Sequence, residues 1–95
     1  MDIRHRGEPI TNRLFEFQIY GGAKPVNIKV FIGDRLVLNG DCADPPCHES
    51  LTVPEYAVNS MLQIIAKDSL GEEITRSFVI RRDRGSDNQR LMVRG

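Results

Sequence analysis

Hydrophobic and polar residues alternate along much of this chain. In "RLFEFQIYGG" (residues 13–22), Phe15, Phe17 and Ile19 fall on one side and Glu16 and Gln18 on the other. Such period-two alternation marks a half-buried strand, here ended by Gly21 and Gly22. In "PVNIKVFIGDRLVL" (25–38), Val26, Ile28, Val30 and Ile32 share a face. Gly33-Asp34 suits a two-residue hairpin turn with glycine at the first position, where φ is positive. Leu36, Val37 and Leu38 then return antiparallel. "SLTVP" (50–54) predicts a short strand stopped by Pro54. "SMLQIIAKD" (60–68) places Leu62, Ile64 and Ala66 on one face, and "SLGEE" turns the chain into a last strand, "ITRSFVIRR" (74–82). There Phe78 and Ile80 point inward, with Thr75, Ser77 and Val79 opposite. Phe17, Ile28, Val30, Leu62, Ile64 and Phe78 are the expected core between two sheets.

Helical spacing has one foothold. In "PEYAVNSMLQIIAK", Tyr56, Ala57, Met61, Ile64 and Ile65 recur at roughly helical intervals. The adjacent β-branched pair and the turn signal in "AKDSLGEE" favour a strand instead. Six or seven short strands separated by turns predict an all-β fold, an antiparallel β-sandwich. Residues 13–82 form the predicted domain. Residues 1–12 are expected to be an N-terminal linker and 83–95 a C-terminal tail or linker, although "LMV" (91–93) could begin a strand of a following domain.

Ninety-five residues make one domain. A chain of this size buries about two-thirds of its unfolded surface, enough for one thin core. Formal net charge is zero, so no global field draws nucleic acid. The charge is nevertheless uneven. Residues 1–13 and 81–95 hold eight arginines and four acids, giving +4, whereas 14–80 hold five bases and nine acids, giving −4. No aromatic residues interleave with the arginines, so the ends read as solvated linkers and His5 as a solvated tail residue. No apolar run approaches the length that inserts in a membrane. "MDIRHRGEPITNR" lacks the apolar core of a signal peptide, so an exported form would be a mature piece of something longer.

"MLQIIAKDSLGEEITRSFVI" resembles the end of bacterial immunoglobulin-like repeats. In these a strand closes on Ala-x-Asp, turns through a glycine and returns in a final strand. Ala66, Asp68 and Gly71 carry the pattern here, and "KPVNIKVFIGDRLV" is similar to the central hairpin of such a sandwich. The likeness covers about residues 13–82, and fibronectin-type and cadherin-like modules share parts of it. The chain has no Trp and no widely separated cysteine pair, so the tryptophan-and-disulfide core of antibody domains does not carry over. The resemblance implies an all-β, antiparallel immunoglobulin-like β-sandwich that serves as a non-catalytic spacer or adhesion-type module of a larger exported or cell-surface protein. It would lie outside the cell or in the periplasm. Its partners would be neighbouring domains of a parent chain and a protein, with no cofactor. The alternatives are a ligand-binding module for carbohydrate or calcium, or an accessory domain of a secreted hydrolase. Fold alone does not decide among them.

Candidate chemistry centres on "GDCADPPCHES" (40–50). Three possibilities compete. A Cys42–Cys47 disulfide would close a loop of about six residues and contribute roughly 2 kcal/mol by loop entropy. The two prolines favour the reversal, and an even cysteine count suits an oxidising compartment. Zinc would need Cys42, Cys47, His48 and a fourth ligand such as Asp41, Asp44 or His5, from a single pair where two are usual. A reactive thiol would need His48 as base, oriented by a third group. The spacing favours the disulfide. Elsewhere, Asp68 with Glu72 and Glu73 is a weak calcium candidate, since calcium takes six to eight oxygens. A turn-capping role suits Asp68 better. Tyr20, Phe31 and Tyr56 could form a sugar platform, but with few aromatics and no Trp, core packing accounts for them better. The chain carries no Gly-rich phosphate loop, serine elbow, Arg-Gly-Asp triplet or Asn-x-Ser/Thr sequon.

Overall fold

The computed structural model describes residues 1–83. Seven antiparallel strands form two sheets. They are β1 (Asp2–Arg6), β2 (Leu14–Tyr20), β3 (Val26–Ile32), β4 (Arg35–Cys42), β5 (Cys47–Thr52), β6 (Met61–Lys67) and β7 (Glu73–Val79). One sheet has the order β1-β2-β5 and the other β4-β3-β6-β7. The fold is an antiparallel immunoglobulin-like β-sandwich. "PEYAVNSMLQIIAK" splits into one turn of 3₁₀ helix, Glu55–Ala57, followed by β6.

The core sits where alternation aims it. Phe15, Phe17 and Ile19 of β2 face Val26, Ile28, Val30 and Ile32 of β3 and Leu62, Ile64 and Ala66 of β6, and all are buried. Side chains on a pleated strand alternate between faces, so one apolar set per strand closes the interior without further instruction. Between β3 and β4, Ile32 pairs with Arg35, leaving Gly33-Asp34 as the two-residue turn with Gly33 at φ +62°. A register shift between Val30 and Phe31 then places one extra residue on β4. Phe78 packs on the core from the open side but is only half-buried, whereas Ile80, just past β7, is fully enclosed.

The N-terminal segment corrects the expected linker over 1–12. Residues 2–6 pair with 16–20 of β2 in an unbroken antiparallel ladder, and Ile3 is buried. His5, expected in a solvated tail, is solvent-exposed but sits on β1, its ring against those of Phe78 and Phe15, with centroids 4.6 and 6.2 Å away. The chain then turns through Gly7, at φ +71°, and crosses to the other sheet. There Ile10 bridges Arg81, with Thr11 N–H donating to the Arg81 carbonyl at 2.9 Å and Arg81 N–H to that of Pro9 at 3.1 Å. The first dozen residues thus stitch both sheets. The question of a strand at 91–93 lies outside the described residues.

Candidate functional site

Cys42 ends β4 and Cys47 begins β5, so the disulfide between them spans the crossover from one sheet to the other. Cys42 sits opposite Val26 and Cys47 opposite Ile19. Both sulfurs pack at the core margin, and the Cα atoms are 6.1 Å apart. Lys24 and Asp44 pair across the loop at 3.0 Å. The bond takes both thiols away from metal and nucleophile chemistry, and it fits an oxidising compartment. His48 points the other way, onto the outer face of the three-stranded sheet, where its Nδ1 lies 3.4 Å from the Gln18 amide.

Asp68 closes the β6–β7 turn. One carboxylate oxygen accepts from Ala23 N–H at 3.1 Å, and the other from Leu70 and Glu72 N–H at 3.0 and 2.8 Å. These backbone donors, that of Ala23 foremost, hold the carboxyl below its ordinary value of 3.8. Both oxygens already face the protein. Among the described residues, no group of three or more His, Cys, Asp or Glu side chains could hold a metal ion. A lowered folded pKa stabilises above the unfolded value, and this contribution is lost as pH falls through the folded one. Asp68→Asn, which turns one acceptor into a donor facing an N–H, should therefore lower the thermal midpoint at pH 7. Its deficit relative to the parent should narrow as pH drops below about 4. Thermal unfolding between pH 7 and 2 checks this. A deficit constant with pH would mean that the charge of Asp68 contributes nothing.

The three aromatics considered as a platform do not converge. Tyr20 lies on β2 in one sheet and Phe31 on β3 in the other, while Tyr56 stands in the 3₁₀ turn beside Arg35. The outer face of the four-stranded sheet carries the pairs Phe31–Leu36 and Met61–Val79 at one end, with Leu36, Met61 and Val79 exposed.

Sequence reasoning missed a group of polar side chains on the outer face of β1-β2-β5. The ladder puts Arg4, Gln18 and His48 in one row and Arg6, Glu16 and Ser50 in the next. Arg4, Arg6, Glu16, Gln18 and His48 line a shallow depression of about 390 Å³. Arg4 lies over the Tyr20 ring, 4.2 Å from its centroid, and its Nε donates to Asp2 at 3.1 Å. Tyr20 hydroxyl donates to Gln18 at 2.8 Å. The available signal was faint: "DIRHR" alternates, but with Ile3 as its single apolar residue.

No helix among the described residues is long and apolar enough to cross a membrane. Comparison of the chain with protein-family models, curated proteins and solved structures finds no match.

Proposed function

We propose that this chain is a non-catalytic spacer or protein-contact module of a larger exported or cell-surface protein. One observation carries the proposal: Met1 and Asp83 lie at opposite poles of the sandwich. The Met1 ammonium is 3.8 Å from Glu72, beside the turn that precedes β7. Arg81 and Asp83 follow β7 at its far end, held there by Pro9 and Thr11. The seven residues of β7 separate these poles by roughly 24 Å, at about 3.4 Å per residue. Modules joined through such poles line up end to end and lengthen their parent chain. The disulfide, with Cys42 buried and Cys47 half-buried, suits service in an oxidising compartment, where the bond persists.

The test is a two-copy protein in which one copy follows the other. Its maximum dimension in small-angle X-ray scattering should exceed that of one copy by at least about 24 Å, the length of a strand of this size. A side-by-side pair with no such increase would refute the spacer role.

A further inference from the structure

We propose that the outer face of β1-β2-β5 binds an anionic saccharide, a sugar chain bearing sulfate or carboxylate groups, through Arg4 and Arg6. Arg4 and Arg6 stand two residues apart on one strand, so their side chains share a face. Their Cα atoms are about 7 Å apart along it. Arg4 is fixed by stacking on Tyr20 and by the contact of its Nε with Asp2. That arrangement leaves both terminal nitrogens of the guanidinium without an acceptor among the described residues. They form the planar fork that matches sulfate or carboxylate oxygens. Arg6 lies across from Glu16 on β2, yet makes no ion pair or hydrogen bond among the described residues. It is a charge with unfilled donors at the rim of the depression.

The remaining lining selects the carrier of the anion. Gln18 offers donors and an acceptor, Glu16 acceptors, and His48 ring nitrogens, which is the mixture that sugar hydroxyls require. Glu16 would repel a continuous run of acidic side chains but accepts hydroxyl protons. Peptides that dock on β-sandwiches commonly add to a sheet edge or seat an apolar side chain in a pocket. This depression lies on the face of the sheet, and its one apolar lining residue, Phe17, points into the core. A hydroxyl-rich ligand with spaced anions fits better than a peptide.

The experiment measures binding of labelled maltohexaose sulfated at a single hydroxyl of each glucose, so that anions are spaced and hydroxyls remain, by fluorescence anisotropy, with neutral maltohexaose and poly-glutamate as competitors. The sulfated sugar should bind and be displaced poorly by either competitor. Arg6→Ala should weaken binding about tenfold or more, the scale of a lost charge-assisted hydrogen bond. Arg4→Lys, which keeps the charge but removes the fork, should weaken it several-fold. Arg82→Ala, at the far pole, should leave it unchanged. Arg6 is exposed, so its variant should melt with the parent. No binding, equal affinity for neutral maltohexaose, tighter binding of poly-glutamate, or equal losses in Arg6→Ala and Arg82→Ala would each overturn the proposal.

Discussion

Phe17→Ala should destabilise the domain by about 3–5 kcal/mol, the usual range for truncating a buried aromatic. Phe17 is 1% exposed and sits on β2, the central strand of its sheet. Its ring borders Phe15, with centroids 6.3 Å apart. Partner strands hold the backbone on both sides, through His5 on β1 and Glu49 on β5. The walls therefore cannot collapse far into the space left by the ring, and the cavity term adds to the lost transfer energy. Domains of this size hold about 5–15 kcal/mol in total, so the variant should be marginal or unfolded at room temperature. Val79→Ala is the matched control. Val79 is 52% exposed on the outer face of β7, and its truncation should cost less than about 0.5 kcal/mol. Urea unfolding of the two variants measures the difference. Equal midpoints would show that the inward set of β2 does not form the core.

Removal of residues 1–7 should have a second large effect, with the opposite outcome from trimming a linker. Ile3 is 4% exposed, and withdrawing a side chain of its kind from the core costs roughly 1.5–3 kcal/mol. Met1 also packs on the core, and His5 covers the rings of Phe15 and Phe78 at the open side. Deletion would turn β2 into an edge strand with unpaired backbone groups, beside newly exposed aromatic surface. At about 4–8 °C per kcal/mol for a domain this small, Ile3 alone predicts a fall of at least about 6 °C in thermal midpoint. The other losses should carry the fall beyond about 10 °C. A midpoint within about 2 °C of the parent, well inside that scale, would restore the linker assignment. The truncated form should also self-associate, because an uncovered strand edge templates pairing with another chain.

These two regions mark what could be read before the fold was known. The inward sets of β2, β3 and β6 were visible from alternation alone, because a pleated backbone sends neighbouring side chains to opposite faces wherever it lies. The Gly33-Asp34 turn was visible for a similarly local reason, since glycine tolerates the positive φ that a two-residue turn demands. The loop prolines and the short Cys42–Cys47 spacing likewise made the disulfide legible, because a closure of so few residues depends on nearby geometry.

Only the tertiary structure decided the rest. β1 has one apolar residue in five, too little to signal a strand; it forms because the open edge of β2 supplies backbone partners. Asp68 takes one of its donors from Ala23, a residue 45 positions away. Phe78 and Ile80 both point inward, yet the first lies half-buried at the open side beside His5, and the second is fully buried, with its backbone N–H donating to the Ser60 carbonyl. The row of Arg4, Gln18 and His48 exists only because strands remote in sequence lie side by side in one register. Alternation is a property of one strand and can be read from it. Sheet order, register and the surfaces they build depend on which strands meet, and that is settled by the burial and pairing of the whole chain at once.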